Sequence, residues 1–184
     1  MTDIVSDGRR AGEVVRGIRA MVKKEQMVRQ RLNLNDVVAR VVQIDTPDAL
    51  MRSCQLETSL EPSLPPIVSD PIQFQQVLLN LVLNAFDAMR DTPVKSRKVT
   101  IATEWNGDGA IRTSVRDHGD GIPAHARDYI FDPFFTTKEE GLGMGLAIVR
   151  SIVESYGGTM AADNPVDGGA RFYFTLPANA AASA

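Results

Sequence analysis

Four polar side chains, Gln76, Asn80, Asn84 and Asp87, recur at the i, i+4, i+8 and i+11 spacing that stacks side chains along one line of a helix. They interrupt SDPIQFQQVLLNLVLNAFDAM, residues 69–89, which is otherwise nearly all apolar. A polar group buried without a partner costs roughly 1–3 kcal/mol, so the stripe is expected either to line a cleft and meet a polar ligand or to bond neighbouring backbone inside a core. Three glycine-rich segments bear on that choice: DHGDG at 117–121, GLGMG at 141–145, and the pairs Gly157-Gly158 and Gly168-Gly169. Glycines admit close approach of backbone N–H groups to a ligand. The middle segment opens directly into a helix whose N-terminus carries partial positive charge, the requirement of a phosphate site. It is not a dinucleotide fingerprint, because no strand leads into Gly141, nor a P-loop, because no Lys-Ser or Lys-Thr follows. Asp117 closes a strand, where it serves either as a turn residue or as an acceptor for an exocyclic amine such as that of adenine.

The central helix has clear start signals: Asp70 as N-cap, Pro71 at the first helical position and Gln73 as the reciprocal member of a capping box. Phe74, Val77, Leu78, Leu81, Val82, Ala85 and Met89 fall on one side and Leu79, Leu83 and Phe86 on another, which predicts a helix buried nearly all round. Upstream, residues 2–29 carry a heptad-like pattern (Ile4, Ala11, Ile18 with Val14 and Met21), expected to pack on a partner helix or on the chain's own domain. Residues 31–34 suit an edge strand, Asn35 caps a helix, and Pro47 interrupts it. Residues 54–60 read as a strand and 64–68 as an extended connection. A hairpin follows, 98–105 and 110–116 about a turn at 106–109. The long irregular stretch to Gly143 has the composition of a lid. A helix over 145–156 and strands over 159–162 and 170–176 complete an α+β domain, a mixed sheet covered on one face by helices.

The net charge of −3 argues against a phosphate-backbone binder, so nucleic acid is not expected as a partner. A single cysteine, Cys54, excludes an intrachain disulfide and a thiolate zinc cluster. No apolar run approaches the ~20 residues of a membrane span and the N-terminus lacks a signal-peptide core, so no membrane contact is expected.

Taken in order, LNLVLNAFDAM, DHGDGI, FDPFFTTK and GLGMGLAI resemble the N box, first glycine box, F box and second glycine box of the sensor histidine kinases. Their nucleotide domain shares a superfamily with gyrase, a heat-shock chaperone and a mismatch-repair ATPase. The run FFTTKEEGLGMGLAIVRSIVESYGG is similar to the nitrogen-regulation and oxygen-sensing branch. The resemblance implies a two-layer α/β sandwich, the Bergerat ATP-binding fold, over 30–177. It also implies a truncated dimerisation and phosphotransfer hairpin over 1–29 and a disordered tail over 178–184. ATP and Mg²⁺ would be the cofactors, with Asn84 the metal ligand and Asn80 and Lys138 the residues bearing on catalysis. Asp117 would take the adenine amine, shaped by Gly119, Gly121 and Ile122. Phe131, Phe134 and Phe135 would anchor the lid, bringing Thr136, Thr137 and Lys138 to the phosphates, which Gly141, Leu142, Gly143, Met144, Gly145 and Leu146 would cradle through backbone N–H groups. Asp87 stands where many such kinases carry a basic residue. Asn80 stands where the gyrase-like ATPases carry a water-activating glutamate, which makes a conformational ATPase, or a serine-directed kinase of the superfamily, the secondary reading. Neither His118 nor His125 has the phosphoacceptor pattern. The implied partners are a histidine-containing dimerisation domain, of this or a partner chain, and a response-regulator receiver domain. The implied setting is a bacterial cytoplasmic homodimer, with or without a membrane anchor elsewhere.

Overall fold

The computed structural model describes residues 29–105, 109–138 and 141–178. The expected helix over 2–29, most of the hairpin turn over 106–109 and the tail lie outside them. Among the described residues seven strands and three α-helices follow one another as β1 (Gln30–Leu32), α1 (Leu34–Met51), β2 (Gln55–Leu60), β3 (Ile67–Ser69), α2 (Pro71–Ala88), β4 (Lys98–Trp105), β5 (Ala110–Arg116), α3 (Gly145–Ser155), β6 (Thr159–Asp163) and β7 (Arg171–Pro177). The main sheet runs in the order β2-β4-β5-β7-β6, parallel only between β2 and β4, and a separate two-stranded ribbon joins β1 to β3. The parallel pair requires a crossover, and the chain uses that crossover to place α2 on the sheet.

Alternation along the strands decides which face the helices cover. Val99 and Ile101 on β4, Ile111 and Val115 on β5, and Phe174 and Leu176 on β7 are buried under α1, α2 and α3. At the centre Phe74 of α2 meets the rings of Tyr156 and Phe174, with centroids 5.2 and 5.7 Å away. One aromatic thus ties α2 to the end of α3 and to β7.

Four local expectations are corrected. The N-cap of α1 is Asn33, whose Oδ1 accepts the Asn35 N–H at 2.9 Å. Asn35 lies inside the helix and joins it to the sheet, donating to the Glu61 carbonyl (2.9 Å) and accepting from the Thr103 hydroxyl (2.8 Å). Pro47 does not interrupt α1. Losing its N–H removes one ladder bond, but Ala49 beyond it is buried and the Arg52 N–H closes the helix on the Asp48 carbonyl, so packing outweighs the lost bond. Asp70 caps α2 as expected, accepting the Ile72 N–H at 2.8 Å, but the capping box is not formed. The Tyr156 hydroxyl accepts the Asp70 N–H that Gln73 would have taken, and Gln73 Oε1 is buried without a partner. The connection over 64–68 contains the start of β3, which pairs with β1 because β1 lies beside it.

Asp45 carries a measurable consequence. It is 5% exposed on the buried side of α1, its Oδ2 has no hydrogen bond, and burial first, then the neighbouring Asp48 charge, pushes its pKa up to about 6. The folded state therefore holds this proton more tightly than the unfolded chain. Asp45 costs nothing below about pH 4, and its contribution becomes unfavourable as pH rises through 4 to 6, reaching on the order of 2–3 kcal/mol. Asp45→Asn is expected to stabilise the protein above pH 6 by about 1–2 kcal/mol and to leave it unchanged near pH 4. Denaturant midpoints of the two proteins across that range test this; a gap that does not widen with pH contradicts the assignment.

Candidate functional site

The polar stripe of α2 is half-buried as a line: Gln76, Asn80, Asn84 and Asp87 all sit between the buried and exposed faces. The helix is not buried all round. Phe86 is in the core and Leu79 packs at its margin, but Leu83 is 40% exposed. The stripe therefore borders an open side, on which the segment leading to α3 is laid.

That segment is fixed by its own backbone. Gly143 has φ +65°, its carbonyl accepts the Phe134 N–H at 2.9 Å, and a Cβ on it would lie 2.5 Å from the carbonyl carbon of Phe134 and the carbonyl oxygen of Phe135. Only glycine permits that approach. The second glycine box and the F box are thus one unit. The side chains of Leu142, Met144 and Leu146 pack into or against the main core. Phe135 packs with Ile122, Ala126 and Ala170 in a second small core, and Phe131 meets Phe172 edge-on at 6.4 Å. Phe134 departs from the expectation. It is 73% exposed with φ +67°, so its ring does not anchor the segment, although its N–H does bond Gly143.

Lys138 reaches across from this unit to α2. Its Nζ lies 3.3 Å from Asn84 Oδ1 and 3.1 Å from Asp87 Oδ2. An ammonium therefore occupies a point flanked by an amide oxygen and a carboxylate oxygen, both hard donors. The Asn84 oxygen fits Mg²⁺, which binds through one or two protein oxygens plus phosphate and water rather than in an all-protein cage. No group of three His, Cys, Asp or Glu side chains able to hold a metal occurs among the described residues, so further ligands would come from a bound nucleotide. Thr136 and Thr137 are exposed, the Thr136 hydroxyl accepting the Lys138 N–H at 3.0 Å. The side chain of Asn80, half-buried on α2, makes no hydrogen bond among the described residues.

Asp117 lies past the end of β5 and is 2% exposed. Its Oδ1 accepts two backbone N–H groups, from Gly119 at 2.8 Å and Ala170 at 3.1 Å, while Oδ2 takes none among the described residues. Burial holds its pKa above the ordinary carboxylate range; the two N–H groups, His118 and Arg116 pull the other way. The carbonyl of Asp117 lies where a Cβ on Gly169 would be, 2.0 Å away, and Gly169 has φ +76°. Two residues that sequence reasoning missed complete the site. Asn164 clasps the Ile122 backbone in both directions, at 2.8 and 2.9 Å, and so holds the first glycine box in shape. Arg52 donates to Asp87 Oδ1 at 3.1 Å. Neither carries a local signal: Asn164 reads as a turn residue before Pro165, and Arg52 as a helix-end charge. A cavity of about 200 Å³ lined by Arg29, Ser69, Tyr156 and Leu176 lies elsewhere, beside the β1–β3 ribbon.

A mixed sheet with helices on one face, a glycine-framed buried aspartate and a half-buried stripe of asparagines are the features of a nucleotide-binding catalytic domain. The chain belongs to the histidine kinase-, DNA gyrase B- and HSP90-like ATPase family, which matches residues 69–180. Within it the chain is similar to sensor histidine kinases. The sensor kinase ZraS of Klebsiella oxytoca is 39% identical over 92% of this chain and 36% of its own length. FixL of Bradyrhizobium diazoefficiens is 36% identical over 92% of this chain and 33% of its own. The chain thus spans about a third of the length of these relatives. The catalytic domain of the histidine kinase ThkA superposes with TM-score 0.73 at 31% identity, over 83% of this chain and 97% of that one. ThkA has also been solved in complex with the response regulator TrrA, an assembly that matches with TM-score 0.77 at 27% identity, over 96% of this chain and 49% of that one. The α+β architecture read from the sequence stands. No helix of the described residues is long and apolar enough to cross a membrane.

Proposed function

We propose that this chain binds Mg·ATP and, in the protein to which it belongs, transfers the γ-phosphoryl group to a histidine of a dimerisation domain for relay to a receiver domain. The observation that carries the reading is Asp117, a buried carboxylate with one oxygen pinned by two backbone N–H groups and the other unbonded. A buried acceptor of this kind is matched by a ligand that donates, and the exocyclic amine of adenine does so. Adenine at Asp117 directs the phosphates along the α2 stripe toward Asn84, Asp87 and Lys138, with the backbone of 141–145 alongside.

In this arrangement Asn84 Oδ1 would hold Mg²⁺, which would supply charge neutralisation to the phosphates. Lys138, carried on the lid, adds a mobile positive charge. Asn80 would contact the phosphates or the hydration shell of that ion. Its amide has no basic site near neutral pH and so does not deprotonate water, which favours transfer to a protein acceptor over hydrolysis. Catalysis then consists of positioning and charge. The serine-directed or conformational ATPase reading lacks a supporting residue at position 80.

Calorimetric titration tests this. ATP is expected to bind more tightly with Mg²⁺ than with EDTA, and Asn84→Ala to abolish that difference while leaving the EDTA affinity near wild type. Supplied in trans with a histidine-containing hairpin domain and labelled ATP, the chain should deposit acid-labile phosphate on the hairpin. No binding of ATP or ADP in Mg²⁺ would refute the reading.

A further inference from the structure

The position three residues after Asn84 is Asp87, a carboxylate in a cleft that the reading above fills with a triphosphate. Left alone, that charge would repel the ligand. The structure gives it two cationic partners of different kinds. On one oxygen is Lys138, which belongs to the F-box segment, reaches across to α2 and has a half-exposed side chain. On the other is Arg52, which does not belong to the lid. Arg52 is held at four points: its Nε donates to Asp48 Oδ2 at 3.1 Å, its guanidinium lies over the Phe86 ring at 5.7 Å, its carbonyl accepts from Arg97 Nη1 at 2.9 Å, and its N–H closes α1 on the Asp48 carbonyl at 3.0 Å. The chain Asp48–Arg52–Asp87–Lys138–Asn84 is therefore braced by several contacts at the Arg52 end and half exposed at the Lys138 end.

We infer that Arg52 is a positioning residue for nucleotide binding: it fixes the Asp87 carboxylate and keeps it neutralised when Lys138 leaves for the phosphates. Resting on the Mg·ATP reading, the inference assigns the role that a basic residue on α2 would otherwise fill to an arginine from the end of α1. Arg52 touches neither nucleotide nor metal. Two consequences follow from its removal. With Lys138 on the phosphates, Asp87 is an uncompensated negative charge beside them; with Lys138 on Asp87, the freed Oδ1 holds the lysine against Asn84 Oδ1. Both oppose the phosphates and neither opposes the adenosine moiety.

The test is a double-mutant cycle read by affinity in Mg²⁺ for ATP and for adenosine, in wild type, Arg52→Gln, Asp87→Asn and the double variant. Arg52→Gln is expected to weaken ATP by roughly five- to tenfold and leave adenosine unchanged, an effect the size of one uncompensated charge several ångströms away in a partly solvated site. In the Asp87→Asn background the same substitution is expected to change ATP affinity by less than about twofold, because no charge is left to compensate. Arg52→Lys, which keeps the charge beside Asp87, is expected to stay within about threefold of wild type and serves if the glutamine variant folds poorly. Equal weakening of ATP and adenosine, an effect undiminished by Asp87→Asn, or a lysine variant as impaired as glutamine would each overturn the inference. Wild-type protein that fails to bind ATP refutes the functional reading; wild-type binding with an indifferent Arg52→Gln refutes this one alone.

Discussion

Asp117→Asn is expected to weaken ATP binding by about a hundredfold while leaving the fold intact. Asparagine can keep its Oδ1 on the Gly119 and Ala170 N–H groups, which hold the aspartate oxygen at 2.8 and 3.1 Å. Its Nδ2 then stands where the unbonded carboxylate oxygen stood. A donor replaces a charged acceptor opposite a donor of the base, and a lost charge-assisted bond plus two opposed donors amounts to about 3 kcal/mol, close to a hundredfold. Stability should not fall, because burial disfavours the ionised aspartate in the first place, as its raised pKa shows. The measurement pairs a nucleotide titration with a thermal melt. Unchanged affinity would remove Asp117 from the site, and a melt lowered by many degrees would make the loss a folding effect.

Phe74→Ala is expected to cost about 3–5 kcal/mol of folding stability. Phe74 is 0% exposed and its ring contacts Tyr156 and Phe174, so truncation opens a cavity at the point where α2, α3 and β7 meet. Its loss also loosens Tyr156, whose hydroxyl satisfies the Asp70 N–H at the start of α2. For a domain of this size the melting temperature should fall by roughly 10 °C. Leu83→Ala on the same helix supplies the contrast: at 40% exposure it should cost under about 1 kcal/mol. Equal losses would mean that the assignment of the two sides of α2 is wrong.

That contrast marks where periodicity stops being informative. The spacing of Phe74, Val77, Leu78, Leu81, Val82 and Ala85 places them together under either reading of the helix, and all are buried. Leu79, Leu83 and Phe86 are equally apolar in sequence and meet three different fates, because what covers them comes from segments distant along the chain. The strands 98–105 and 110–116 were legible to the residue, since alternation and a glycine-bearing turn are local properties. The caps were legible only in kind. Asn33 and Asn35 are the same residue type two positions apart, and partners on Glu61 and Thr103 decide which of them enters the helix.

By itself the sequence determined the α+β class, the order of the glycine boxes and the line of polar residues on α2, because each follows from composition and spacing within a single segment. Tertiary structure decided what those residues face. It put Lys138 on Asn84 and Asp87, set Arg52 behind Asp87 and Asn164 behind Ile122, drew the capping bond of Asp70 from Gln73 to Tyr156, and left Phe134 in solvent. Each of these depends on a pairing between residues far apart in the chain. Such pairings are settled by how the layers pack, and no residue records its distant partner in its own neighbourhood.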